Sequence, residues 1–380
     1  MTARSRTATH DDAGGRRWTS PRGVAALASV LGVMLGCATR TGPAPDTGLV
    51  VFPPPPDTAR IQFLTRFGTA TDVEGKRGSF WQRVVGADEP EAEDIRKPYG
   101  LAMRGGRIYV CDTMLPGVAI LDLGAKRFEQ FQPRGEAQLR KPINCSLDPA
   151  TGWLYVTDTD RGQVVVYDST LRYVGAFGEH EQAKPSDVVV GDDRVWVSDL
   201  ASGRILVYDK RSRQLLFVFP GEDADSNAVL RQPTNLAVAG DRVYVSEFTD
   251  FRVKIYTTEG HFVRAVGTLG TQVGQFARPK GVAVDRAGRL YVVDAAFENI
   301  QLFDADGRVL MHFGGPYAGP GDMYLPAKVV VDYDNLDYFR AFVDPRFVLE
   351  YLILVSNQYG PDKVSVYGFV HPRGGASARP

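Results

Sequence analysis

The sequence predicts an all-β protein, a six-bladed β-propeller in which an N-terminal strand completes the last blade. Three observations predict this fold. A unit with a marker proline recurs, and consecutive marker prolines lie 44, 43, 48, 46 and 47 residues apart. Each unit holds four short strand-like runs, but the last unit lacks its fourth run. A run of the missing kind stands alone before the first unit. The marker prolines are Pro98, Pro142, Pro185, Pro233, Pro279 and Pro326.

The clearest unit, at 278–315, reads RPKGVAVDRAGRLYVVDAAFENIQLFDADGRVLMHFGG. Its strand-like runs are GVAVD, LYVVD, IQLFD and VLMHFGG, and the third and fourth are joined by an Asp-Gly turn that favours a tight hairpin. One four-stranded sheet cannot cover both of its own faces, whereas sheets stacked around an axis bury them. We therefore expect blades that start near residues 97, 141, 184, 232, 278 and 325.

The lone run is RIQFLTRFG, at residues 60–68, and it reads as an outermost strand. The sixth unit supplies three strands and stops at VSVYGFV. Without closure, the first and last blades would each expose a sheet face and an unpaired edge. The N-terminal strand is therefore predicted to complete blade six, which gives a propeller over 60–370.

The first 36 residues have the pattern of a secretory signal, because arginines precede the apolar run VAALASVLGVMLG. The stretch MLGC resembles the lipobox of bacterial lipoproteins, which implies cleavage before Cys37 and lipidation of that residue. Residues 37–59 include VFPPPP and are predicted to form a semi-rigid tether. Loss of five Arg and two acidic residues changes the net charge from −1 to −4.

Two segments and a tail depart from the repeat. An insertion at 69–96 contains Phe80, Trp81 and a cluster of acidic residues, and a long loop at 332–350 joins the first two strands of blade six. Such loops are often functional, although each is also consistent with a surface cap packed by its own aromatic residues. Residues 371–380 are predicted to be a disordered tail.

The units resemble NHL repeats, with the pattern P-x-G-V-A-V-D, then L-Y-V-x-D, then I-x-V-F and a glycine-ended fourth strand. The chain also resembles a narrower set of bacterial envelope propeller lipoproteins in PPPPDTARIQFL, FWQRVVGADEPEAEDI and NQYGPDKVSVYGF. The resemblance implies a lipid-anchored protein of the bacterial cell envelope. Ala38, which follows the lipidated cysteine, implies the outer membrane.

A double ring of charged residues is the strongest candidate site. A basic residue stands at nearly every marker proline, and an acidic or amide residue ends nearly every second strand. Both rings should surround one mouth of the central channel, where they would bind an anionic or polar ligand; alternatively, they pair with each other and the acids cap turn amides. The basic set is Lys97, Lys141, Lys184, Arg231, Arg278 and Lys328, and the other set is Asp112, Asp158, Asp199, Glu247, Asp294 and Asn357.

Function is predicted to be that of a protein- or ligand-binding scaffold, with another envelope protein or a polar ligand as partner. The alternative is a metal-dependent hydrolase or lyase, similar to lactonase propellers, with its site at the channel mouth. The inner strands offer Asn144, Asp187 and Asn235 for calcium, although no cofactor is expected. No catalytic residue or histidine cluster stands out. The near-neutral net charge gives no reason to expect nucleic acid as a partner.

Two cysteines follow the predicted lipidation site. Cys111 and Cys145 both lie in strand patterns. An oxidising compartment permits a disulfide, and buried free thiols fit the pattern equally well. The sequence leaves this choice open.

Overall fold

The computed structural model describes residues 48–75, 94–178 and 182–374, which belong to one compact unit over Thr47–Pro380. Six antiparallel sheets form six blades. Five blades use four consecutive strands each. Blade one comprises β3 (Pro98–Arg104), β4 (Arg107–Asp112), β5 (Gly117–Asp122) and β6 (Arg127–Phe131). Blade two comprises β7 (Pro142–Leu147), β8 (Leu154–Asp158), β9 (Gln163–Tyr167) and β10 (Tyr173–Phe177).

The next three blades repeat this order. Blade three comprises β11 (Pro185–Val190), β12 (Arg194–Asp199), β13 (Arg204–Asp209) and β14 (Leu215–Phe219). Blade four comprises β15 (Pro233–Ala239), β16 (Arg242–Glu247), β17 (Arg252–Thr257) and β18 (Phe262–Val266). Blade five comprises β19 (Pro279–Val284), β20 (Leu290–Asp294), β21 (Asn299–Phe303) and β22 (Val309–Gly314).

Blade six joins the two ends of the propeller. Its strands are β23 (Pro326–Asp332), β24 (Phe347–Asn357), β25 (Val364–Pro372), the N-terminal β2 (Ile61–Phe67) and a short β1 (Val51–Phe52). Strand β2 pairs antiparallel with β25, from Ile61 opposite Phe369 to Phe67 opposite Val364. This pairing confirms the predicted closure by an N-terminal strand.

The boundaries of the propeller differ slightly from the predicted ones. The short strand β1 lies inside the segment that was predicted to be a tether, and β25 continues to Pro372, two residues into the predicted tail. Apolar contact explains why β1 is ordered as a strand, because the ring centroid of Phe52 lies 6.0 Å from that of Phe313 in blade five.

Apolar clusters fill the space between each pair of neighbouring blades. Five clusters lie between consecutive blades, from blades one and two to blades five and six. A sixth cluster joins blade six to blade one and contains Leu64 of the closing strand, Leu352 and Ile108. The second and third strands of most blades are nearly continuous apolar runs because both sheet faces are buried in this way.

Segments outside the blades are short in the described residues. Helix α1 (Ala70–Glu74) follows the closing strand, and 3₁₀ turns cover Gly135–Ala137, Leu336–Tyr338 and Arg340–Phe342. The long loop of blade six is anchored by Phe339, which is fully buried between blades six and one. Within that loop, Asn335 accepts a hydrogen bond at 2.8 Å from the backbone N–H of Gly106.

Both cysteines of the propeller are buried and free. Cys111 and Cys145 lie in the apolar cluster between blades one and two. Burial raises the pKa of the Cys111 thiol well above its ordinary value, and the neighbouring Cys145 adds to this effect. The structure therefore favours the buried-thiol alternative.

Candidate functional site

Both predicted rings lie at one face of the propeller. In every blade the first residue of the inner strand pairs with the last residue of the second strand, as Pro142 does with Asp158. The segment that enters the inner strand and the loop that leaves the second strand therefore share a face. We call this face the mouth. The same pairing joins Pro98 to Asp112, Pro185 to Asp199, Pro233 to Glu247, Pro279 to Asp294 and Pro326 to Asn357.

The acidic residues of the mouth bind backbone rather than basic side chains. Asp158 accepts hydrogen bonds from the backbone N–H groups of Arg140 at 2.6 Å and Lys141 at 3.0 Å. It also accepts one at 3.0 Å from Arg161 in the loop that follows. Each carboxylate thus ties two loops together, which is a structural role. The same arrangement holds for Asp112, Asp199, Glu247 and Asp294.

The basic side chains of the mouth have no acidic partner among the described residues. Five of them surround the mouth and are exposed or half-buried. Within the described ranges, no carboxylate forms an ion pair with any of the five, since the acids of the same ring bind backbone instead. Four of the five are exposed, and the fifth, Lys97, is half-buried beside the ring of Tyr359. They are Lys97, Lys141, Lys184, Arg231 and Arg278.

Blade six breaks the pattern of the mouth. Its counterpart of the acids, Asn357, is buried and donates its side-chain amide to the carbonyl of Asp362 at 2.7 Å and to Ser365 at 3.0 Å. Leu325 stands directly before its marker proline, where four of the other blades carry a cation; Tyr324 precedes it, and Tyr359 follows in the next loop. One sector of the mouth is therefore aromatic rather than cationic.

Lys328 does not belong to the basic ring in which the sequence placed it. It lies two residues along the inner strand from Pro326 and is 6% exposed. Its ammonium forms an ion pair with Asp187, which lies on the inner strand of blade three, directly opposite in a six-bladed ring. Both residues are third in their inner strands, so that two opposite blades meet at the same level of the channel. The pair bridges the channel.

Three residues that the sequence offered for calcium are partly brought together. Asp187 accepts hydrogen bonds from the side-chain amide of Asn235 at 3.4 Å and from the backbone N–H of Leu236 at 2.9 Å. Asn144 instead donates to the carbonyl of Ser186 at 3.0 Å. The positive charge beside Asp187 is the ammonium of Lys328. In the described part of the chain, no group of three or more His, Cys, Asp or Glu is arranged to hold a metal ion.

Lys280 is a channel residue that the sequence reasoning missed. It is 6% exposed, and its ammonium lies 4.9 Å from the centroid of the Tyr99 ring. Among the described residues, no carboxylate forms an ion pair with it. Burial, together with the charges of Arg278 and Lys97, lowers the pKa of Lys280 to about 7. The mouth therefore continues inward to a buried, unpaired amine.

Comparison of the six repeats shows that Lys280 is unusual at its position. The residue after the marker proline is Tyr99, Ile143, Ser186, Thr234 or Ala327 in the other blades, and only blade five has a charge there. A charge on an inner strand is unusual because burial of an unpaired charge is costly. Its distance from Tyr99 across the channel could not be read from the repeat alone.

Comparison with known proteins supports the fold more than any activity. No protein-family model matches the chain. "Protein brain tumor" of Drosophila melanogaster is 34% identical over 110 residues, which is 28% of this chain and 10% of that protein. The chain thus spans about a tenth of that relative's length. The match supports the NHL type of the repeats.

Solved propellers are similar in fold at low sequence identity. A protein of unknown function from Bacteroides thetaiotaomicron has a TM-score of 0.54 at 15% identity, with 82% of this chain and 76% of that chain covered. A gluconolactonase from Xanthomonas campestris has a TM-score of 0.51 at 15% identity, with 73% and 86% covered. A streptogramin B lyase has a TM-score of 0.50 at 13% identity, with 71% and 82% covered. These likenesses show a β-propeller.

Several predicted features lie outside the described residues. They are the signal segment 1–36, the lipidation residue Cys37, the tether up to residue 47, most of the insertion at 76–93 and the last six residues of the tail. In the ranges that the structure does describe, no helix is both long and apolar enough to cross a membrane.

Proposed function

We propose that this chain is a lipid-anchored binding protein of the bacterial cell envelope, whose propeller takes an anionic ligand at the mouth. The observation that carries the proposal is the pair of facts about Lys280: its ammonium is buried, and no carboxylate of the described residues neutralises it. An unpaired buried ammonium is costly, and an anion that enters the mouth would supply the missing charge.

The surroundings of Lys280 support an anion rather than a cation as the ligand. Arg278 and Lys97 are near enough to lower its pKa, and Asp187, an acid on the inner strand of blade three, is occupied by Lys328. The opposing ring of Tyr99 carries no charge and donates a hydrogen bond to Asn235 at 3.4 Å. The groups that act on Lys280 are thus two cations and the ring of Tyr99.

A metal-dependent hydrolase is less well supported. Such a site would need Asp187 as a ligand, whereas this carboxylate pairs with an ammonium and accepts backbone and amide hydrogen bonds. The likeness to lactonase and lyase propellers concerns the fold alone. Anion binding uses Lys280, which has no ion-pair partner among the described residues. A metal site would require the ion pair of Asp187 with Lys328 to break.

Anion titration of the purified full chain tests this function. We expect inorganic phosphate to bind, and Lys280→Met to weaken its binding by at least tenfold. Arg127→Gln is the matched control, because it removes one positive charge from an exposed outer strand; it should change the dissociation constant by less than twofold. Equal affinities of wild type and Lys280→Met, or no anion binding at all, would overturn the proposal.

The pH dependence of anion binding gives a second readout. Lys280 binds an anion only when protonated, and its pKa in the free protein is about 7. For sulfate, whose own charge is constant over this range, affinity should therefore fall about tenfold between about pH 6 and pH 8. The Lys280→Met variant should lack this fall. Anchoring is tested separately by mass analysis of the mature chain from bacterial membranes, where Cys37→Ser should abolish the lipid adduct.

A further inference from the structure

We propose that the ligand is an acidic glycan, a chain of sugars that carry carboxylates, with sugar rings stacked on the tyrosines at blade six and successive carboxylates held by Lys97, Arg278 and Lys280. This inference rests on the proposed anion-binding function and names its ligand class. It is carried by a second observation, the aromatic sector of the mouth.

The aromatic sector is a row of three tyrosines. The rings of Tyr317 and Tyr324 lie 6.4 Å apart and nearly parallel, and the rings of Tyr324 and Tyr359 lie 5.7 Å apart. Tyr324 is 46% exposed and Tyr359 is 44% exposed. The faces of aromatic rings carry negative partial charge and attract the slightly positive C–H groups of a sugar ring. Exposed rings in a row fit a chain of sugars.

The row of tyrosines is held in place before any ligand binds. The backbone N–H of Tyr359 donates to the carbonyl of Tyr324 at 3.3 Å, so the two loops are tied to each other. The N–H of Leu325 donates to Glu298 of blade five at 2.8 Å. Gly360 lies against Tyr324 with a φ of 73°, a conformation that favours glycine. A fixed surface loses little conformational entropy on binding.

The cations begin where the tyrosines end. The ammonium of Lys97 lies 5.2 Å from the centroid of the Tyr359 ring. Blade six stands between Lys97 of blade one and Arg278 of blade five, and both are close enough to Lys280 to lower its pKa. A sugar stacked on Tyr359 would therefore have its carboxylate beside Lys97. The next anionic group along the chain could reach Lys280 in the channel.

The geometry favours an acidic glycan over single-stranded nucleic acid. Aromatic rings and cations also bind nucleic acids, but those sites combine stacked bases with a positive groove that follows the backbone. Here the cations form a ring around a mouth, with buried charge at its centre. A neutral glycan would leave that charge without a partner.

Oligogalacturonate of defined length is the probe, and its methyl-esterified form is the matched neutral control. We expect the full chain to bind the acid form at least tenfold more tightly than the ester. Tyr324→Ala and Tyr359→Ala should each weaken binding of the acid form about tenfold and leave binding of inorganic phosphate within twofold. Both rings are almost half exposed and neither belongs to an apolar cluster between blades, so unchanged melting temperatures should confirm that these variants fold.

The outcomes separate this inference from the proposed function. If the tyrosine variants bind oligogalacturonate like wild type while Lys280→Met loses phosphate binding, the glycan inference is wrong and anion binding stands. Equal binding of the ester and the acid form also overturns it. Tighter, tyrosine-dependent binding of a single-stranded DNA oligonucleotide would replace the glycan by a nucleic acid. If neither phosphate nor oligogalacturonate binds, both proposals fall.

Discussion

Replacement of Lys280 by methionine should stabilise the protein. The pKa of Lys280 is lowered from 10.5 to about 7, which corresponds to about 5 kcal/mol of cost for holding the protonated form in the channel. Methionine has a similar length and no charge. It gives up the cation–π contact with Tyr99, which is worth up to about 2 kcal/mol. We expect a net gain of about 2–3 kcal/mol below pH 7.

The gain in stability of Lys280→Met should decrease as the pH rises. Between about pH 7 and pH 10.5 the unfolded chain binds a proton at Lys280 that the native protein has released. The free energy of unfolding of wild type therefore rises with pH through this window relative to the variant. The advantage of Lys280→Met is largest below the native pKa, falls as the pH rises above about 7 and is lost before the pH reaches the unfolded value.

Denaturant unfolding at several pH values measures this difference, provided that the transition is two-state. Lys254→Met is the matched control, because Lys254 is also buried but pairs with Asp250 at 2.9 Å and donates to the carbonyl of Val229 at 2.6 Å. That variant should be destabilised. The reasoning is refuted if Lys280→Met is less stable than wild type at pH 6, or if the difference does not change up to pH 10.

Three further substitutions test the closure, the mouth and the channel. Ile61→Ala in the fully buried part of the closing strand should cost about 2–5 kcal/mol in denaturant unfolding, whereas Arg60→Ala at an exposed neighbour should stay within about 0.5 kcal/mol. Asp158→Ala leaves several backbone N–H groups without their acceptor and should cost about 2–3 kcal/mol; a loss below about 0.5 kcal/mol would contradict its structural role. Lys328→Met leaves Asp187 buried and unpaired and should cost about 3–5 kcal/mol. Addition of Asp187→Asn should restore at least half of that loss, and a double variant as unstable as the single one would argue against the pair.

The architecture could be predicted because it depends on local regularity. The marker prolines fix the start of each inner strand, and the incomplete last unit requires a strand from elsewhere. The lone run at 60–68 could fill only that place. Pairing of Ile61 with Phe369 therefore follows from counting strands, without knowledge of any side-chain contact.

The site could be predicted only in outline. The positions of both rings follow from the repeat, but the direction of each side chain does not. Asp158 and its equivalents turn inward to backbone amides, while Lys141 and its equivalents face solvent. The pair of Lys328 with Asp187 joins residues 141 positions apart on opposite blades. No local pattern specifies a contact across a channel.

Closure of blade six by the N-terminal strand has a consequence for biosynthesis. The closing strand, Ile61–Phe67, is made before blade one and must wait for a partner that is made about three hundred residues later. Until Val364–Pro372 emerges, the apolar side chains of Ile61 and Phe67 are not buried by their native partners. During that time blade one also lacks blade six as its neighbour. The nascent chain thus exposes apolar surface throughout translation. Any truncation before the last strand leaves an incomplete ring, which a chaperone or a protease can recognise.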